Sequence, residues 1–121
     1  MGKTVLVVDD SPSMRQMVAH TLASSGFAVV EGGDGADALK KLAAQPVQLI
    51  ITDLNMPVMD GISFIKEVRA QPKYKFTPVL MLTTESQASR KQEGRAAGAT
   101  GWLVKPFHPE QLLATVKKVL P

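Results

Sequence analysis

Hydrophobic positions along the chain alternate between two patterns. Lys3–Val8 (KTVLVV) is a β-branched run with no polar face, as expected of a strand buried on both sides. Ser11-Pro12 then pairs a helix N-cap with a proline in the first turn. Met14, Met17, Val18, Thr21 and Leu22 recur at helical spacing until Gly26 ends the pattern, which places all five on the inward stripe, and core packing is the default for Met14, Met17 and Met81. Phe27–Val30 predicts a second strand, Asp34 to Ala44 a second helix with Ala38, Leu39 and Leu42 inward, and Val47–Thr52 a third strand. Asp60–Ala70 carries Ile62, Ile65 and Val68 at helical spacing, followed by a polar turn through Pro72 and Lys73. Pro78–Leu82 and Thr100–Val104 predict two further strands. Between them Ser86–Gly98 has helix-like composition but no large apolar residue, and Leu112, Leu113, Val116, Val119 and Leu120 give the closing helix its stripe behind Pro109.

Strands and helices alternating in short steps require right-handed crossovers and a parallel sheet covered on both faces, a doubly wound α/β fold with five strands and five helices. In such sheets ligands bind beyond the carboxyl ends of the strands. Asp9-Asp10 follow the first predicted strand, Asp53 the third, Thr83-Thr84 the fourth and Lys105 the fifth. Every chemically interesting residue therefore falls at one edge.

Composition narrows the classes. The 121 residues fit one domain, 1–121, with no internal repeat or linker, and 45% hydrophobic content can build a core without staples. With no Cys, disulfide scaffolds, thiol nucleophiles and thiolate metal sites are excluded. No apolar run is long enough to span a bilayer, and Met1-Gly2-Lys3 leads straight into the first strand without a signal peptide, so a cytoplasmic monomer with no membrane partner is expected. The charge of +3 is dispersed, and the six aromatics do not interleave with it as a nucleic-acid groove requires. His20 and His108 lack a second ligand at metal spacing and are expected at the surface.

Asp9, Asp10 and Asp53 lie against strongly apolar runs, where carboxylates are costly unless used. Brought together they repel unless a cation shares the site, and Mg²⁺ suits a few carboxylates, retained waters and phosphate oxygens. A carboxylate beside Mg²⁺ can attack phosphorus, and the developing charge then needs a fixed cation and a hydroxyl, roles open to Lys105 and Thr83.

The sequence resembles the receiver domain of bacterial response regulators, in particular the single-domain chemotaxis (CheY-like) type. The resemblance rests on VLVVDDS at Val5–Ser11, DLNMPVMDG at Asp53–Gly61, MLTTE at Met81–Glu85 and GWLVKPF at Gly101–Phe107, and covers nearly the whole chain. It implies a flavodoxin-like sheet of order 2-1-3-4-5. It also implies Asp53 as phosphoacceptor, Asp10 as a direct Mg²⁺ ligand with Asp53, Asp9 acting through water, the Asn55 backbone carbonyl as a further ligand, and Thr83 and Lys105 on the phosphoryl group. Asn55 and Glu85 are implied to tune self-dephosphorylation, and Lys105–Pro106 to be cis. Thr84 stands where Ala or Gly is frequent, and Trp102 where Tyr or Phe acts as the switch aromatic. The function implied is a two-component response regulator without enzymatic turnover beyond self-phosphorylation and autodephosphorylation. Its partners would be a sensor histidine kinase of the chemotaxis type and a flagellar motor switch protein or a phosphatase. A phosphate sink is the alternative output. An aspartyl-phosphate phosphohydrolase is disfavoured because Asn55 replaces the second acid such enzymes carry, and a flavin carrier because few aromatics are available.

Ser86–Gly98 begins directly after Thr83-Thr84 and offers few apolar anchors, with Gly94 inside it at a cost of about 1 kcal/mol relative to Ala. A weakly docked helix is easily biased between two arrangements, and together with the fifth strand and last helix it forms the expected switch surface.

Overall fold

A computed structural model describes residues 3–120; Met1, Gly2 and Pro121 lie outside the described residues. Five parallel strands, β1 (Thr4–Val8), β2 (Ala28–Gly32), β3 (Leu49–Thr52), β4 (Val79–Thr83) and β5 (Gly101–Val104), stand in the order β2-β1-β3-β4-β5. They are joined through α1 (Pro12–Ala23), α2 (Gly35–Ala44), α3 (Gly61–Arg69), a 3₁₀ turn at Pro72–Tyr74 and α4 (Ala88–Ala97), and α5 (Pro109–Val119) follows β5. The expected doubly wound sheet is present.

Side chains alternate across the sheet and so build two cores. Leu6, Val8, Ile50, Val79 and Met81 face α2 and α3, meeting Leu42, Phe64, Ile65 and Val68. Val5, Val7, Leu49, Ile51, Leu80 and Leu82 face α1 and α5, meeting Val18, Leu22, Leu112 and Val116. Both faces of β1, β3 and β4 are thus dry, which is why these strands read as unbroken apolar runs. The starts of α1, α2 and α3 are fixed by side-chain caps: Ser11 Oγ accepts from the Met14 amide at 3.4 Å, Asp34 Oδ1 from Asp37 at 2.8 Å and Asp60 Oδ1 from Ser63 at 2.8 Å.

Several local expectations are corrected. Met17 is 56% exposed and not in the core, because the buried stripe of α1 is Val18, Ala19 and Leu22, with Met14 only partly covered. β2 runs Ala28–Gly32 rather than Phe27–Val30: it is an edge strand, and Phe27 packs below it against the second core. β3 is shorter than expected, with Val47 buried ahead of it. β4 extends to Thr83, which is buried, while Thr84 is exposed. The stretch after α3 is not merely polar, since Tyr74 is buried with its hydroxyl donating to the carbonyls of Leu42 at 2.9 Å and Gln45 at 3.2 Å. His20 and His108 are exposed as expected.

Candidate functional site

The carboxyl edge of the sheet is built by short exits from its strands. β1 runs into Asp9, whose amide donates to the Gly32 carbonyl at 3.1 Å, and β3 into Asp53, whose amide donates to the Val8 carbonyl at 2.9 Å. Ladder bonds thus continue one residue past each strand, so the two carboxylates are placed by the sheet rather than by loops. Asp9 turns the chain into α1, its Oδ1 accepting from the Ser11 amide at 2.9 Å. Arg15, reaching back from α1, donates to the Asp9 carbonyl at 2.7 Å and pairs with Glu31 at 3.0 Å. Asp53 Oδ1 accepts from the Leu54 amide at 2.7 Å. Gly61 starts α3 directly over this backbone, because a Cβ there would overlap the Asp53 carbonyl oxygen.

Lys105 closes the site. Its amide donates to the Thr83 carbonyl at 2.8 Å, and its ammonium donates to Asp9 Oδ2 at 2.7 Å and Asp53 Oδ2 at 3.1 Å. The three side chains are nearly enclosed, at 10% exposure or less. Burial pulls the Lys105 pKa down, but the hydrogen bonds and charges of Asp9 and Asp53 outweigh it and hold the ammonium above the ordinary lysine value. The following Lys105–Pro106 bond is cis, as expected.

Asp10 is exposed and, among the described residues, engages in no hydrogen bond or ion pair. One oxygen from each of Asp9, Asp10 and Asp53 can be chosen so that all lie within 4.8 Å of one another. Three carboxylates against one ammonium leave a charge of −2, which one divalent cation would balance. Hard oxygen donors of this number, open to solvent on the Asp10 side, fit Mg²⁺ with retained waters better than a closed protein cage.

The remaining expected residues sit around this cluster. Thr83 is buried at the end of β4, and its hydroxyl accepts from the Glu85 amide at 3.3 Å. Asn55 is exposed and Glu85 half-buried, with Glu85 Oε2 accepting from the Gln87 amide at 3.2 Å. Trp102 is farther along, its Nε1 donating to the Glu85 carbonyl at 2.9 Å and its ring lying against α4. The gathering of Asp9, Asp10, Asp53 and Lys105 is therefore as read from the sequence. Arg15 and Gly61 also shape the site; the Asp60-Gly61 pair at a helix start is the sequence signal for the latter, and Arg15 has none.

A parallel 2-1-3-4-5 sheet carrying an acidic trio and a lysine at its carboxyl edge defines the class of aspartate-based receiver modules. The model of the response regulator receiver domain matches residues 5–117, and the chain belongs to that family, a signalling module of two-component response regulators. Among curated proteins it is 39% identical over 118 residues to the chemotaxis protein CheY1 of Helicobacter pylori, covering 96% of this chain and 95% of that protein. It is also 39% identical over 120 residues to PhoP of Bacillus subtilis, a transcriptional regulatory protein of alkaline phosphatase synthesis; there it covers 99% of this chain but only 49% of the longer relative. The chemotaxis protein CheY4 of Vibrio cholerae superposes with a TM-score of 0.95 at 56% identity, over 98% of this chain and 99% of that one. The receiver domain of the sensor histidine kinase PA1611 of Pseudomonas aeruginosa, described with a magnesium ion in its active-site cleft, superposes with a TM-score of 0.91 at 28% identity, over 99% and 98%.

Proposed function

We propose that Asp53 accepts a phosphoryl group from a histidine kinase and that the resulting aspartyl phosphate changes the affinity of the 1–121 domain for a protein partner. The observation that carries this reading is the Asp9–Lys105–Asp53 ion triad beside the uncommitted Asp10. In the transfer a carboxylate oxygen of Asp53 forms a bond to phosphorus as the phosphorus–nitrogen bond of the donor histidine breaks and the electron pair returns to the imidazole. Asp10 and Asp53 directly, Asp9 through water and the Asn55 carbonyl would hold Mg²⁺, which when bound supplies positive charge to the phosphoryl oxygens. Lys105 is already aimed at Asp53 and would follow the phosphoryl group, and the Thr83 hydroxyl, whose oxygen accepts from the Glu85 amide, would donate its own proton to a phosphoryl oxygen. Asn55, exposed two residues after Asp53, and Glu85, two residues after Thr83, would tune the attack of water on the acyl phosphate.

The chemotaxis names of the relatives that match along nearly their whole length support a chemotaxis output, with a flagellar motor switch protein as the proposed partner and a phosphate sink as the alternative. The experiment is phosphotransfer from a purified, ³²P-labelled chemotaxis-type kinase, followed by binding to immobilised motor switch protein with and without beryllofluoride and Mg²⁺. Label passing to the wild type and not to Asp53→Asn, with retention only in the beryllofluoride state, is expected. Transfer without state-dependent retention would contradict the motor assignment and leave the sink.

A further inference from the structure

α4 is held at one end. Gly94 is its only buried residue, and the other parts packed on the core lie at its exit, Ala97 and the following Ala99. Its entry has no side-chain cap on Gln87, whose amide bonds only to Glu85 of the same loop. At the exit, Arg69 reaches over from the last turn of α3. Its Nε and Nη2 donate to the Gly98 carbonyl at 3.2 and 2.7 Å, and its Nη1 to the carbonyls of Tyr74 and Thr77 at 2.8 and 2.6 Å. Among the described residues no carboxylate pairs with this guanidinium, so its charge is spent on carbonyls from the end of α4 and from the turn that feeds β4. Gly98 has φ +118°, and a Cβ there would lie 2.7 Å from Arg69 Nε, so a side chain is given up to let guanidinium and carbonyl meet.

Trp102 connects the two ends. Its Nε1 donates to the Glu85 carbonyl at the entry, while its ring fits against Gly94, where a Cβ would come within 2.7 Å of Cζ3. A helix loose at both ends would absorb a shift of the β4–α4 loop by rearranging. A helix fixed at its exit turns the same shift into a change of tilt.

We infer that Arg69 is a positioning residue that makes the Gly98 end of α4 a pivot, so that movement starting at Thr83 reaches Trp102 and the uncapped entry of α4 as a tilt. The stimulus in this inference rests on the phosphoryl reading above; the pivot itself does not, and the test separates them.

Arg69→Met keeps the aliphatic stem over Gly98 and removes every donor. By amide hydrogen exchange without any phosphoryl analogue, the Gly98 and Ala99 amides, which close the end of α4 on Gly94, are expected to exchange about tenfold faster, with those of β1 and β3 unchanged. On titration with beryllofluoride and Mg²⁺, the half-saturation point should hold within about twofold while the Trp102 emission change drops by about half, with Arg69→Lys in between. Unchanged exchange at Gly98 and Ala99, or acceleration spread evenly into β1 and β3 as for a general support of the fold, would overturn the pivot. A full-sized emission change in an Arg69→Met protein whose α4 exit has loosened would overturn it too. Wild type that fails to bind beryllofluoride would refute the phosphoryl reading, and the exchange comparison then decides the pivot by itself.

Discussion

Asp10 and Lys105 face the same cluster with opposite consequences for the fold. Asp10 is exposed and pairs with nothing among the described residues, so Asp10→Ala should change unfolding stability by less than about 0.5 kcal/mol while abolishing Mg²⁺ binding, read by calorimetric titration. Retained Mg²⁺ affinity would remove Asp10 from the ligand set. Lys105 lies between two buried carboxylates, and Lys105→Met leaves them facing each other without a cation. A loss of about 3 kcal/mol is expected in metal-free buffer, partly restored by millimolar Mg²⁺. Equal stability of wild type and variant in urea would show that the triad is not the electrostatic keystone of the edge. Val58 carries a different kind of cost. It is 83% exposed at φ +70°, centred on a turn in which the Met59 amide bonds back to the Pro57 carbonyl at 2.7 Å, a left-handed γ-turn that a β-branched residue adopts only under strain. Val58→Gly relieves that strain, and a gain of about 1 kcal/mol in urea unfolding is expected.

At the scale of elements, the sequence conveyed most where one cause dominates. β1, β3 and β4 are buried on both faces, so composition alone marks them, and the caps Ser11, Asp34 and Asp60 mark the helix starts. Legibility fails where a neighbour far away in the chain decides. Met17 and Ala19 are equally compatible with the helical pattern of α1, and only packing on the sheet selects the smaller one. Tyr74 is drawn inward by carbonyls at the end of α2, and Arg69 by a carbonyl 29 residues ahead, contacts that leave no local trace. Gly94 shows the same limit, because a glycine that costs helix stability in isolation makes room for the Trp102 ring. Gly94→Ala should therefore destabilise the protein by about 1 kcal/mol, the clash outweighing the better helix propensity. In a Trp102→Leu background the same substitution should stabilise, and a double-mutant cycle in urea measures the reversal. Additive effects would mean that the ring and the glycine do not depend on each other.

Across the whole molecule, the acidic trio and Lys105 gather at one edge because all five strands run parallel and each exit from β1, β3 and β5 delivers its residue to the same side. The candidate site was legible for that reason: topology, once inferred, converts positions after strands into neighbours. What topology does not convey is the path outward from the site, which depends on Arg69, Gly94 and Trp102 at α4. Everything proposed for this edge depends on Asp53 being the group that receives phosphorus. Acetyl phosphate and Mg²⁺ should add one phosphoryl group to the wild type by intact mass, mapped by peptide sequencing to Asp53 and absent from Asp53→Asn, since an amide does not form the acyl phosphate. Equal labelling of Asp53→Asn, or a wild-type phosphoryl group mapped to another residue, would contradict it.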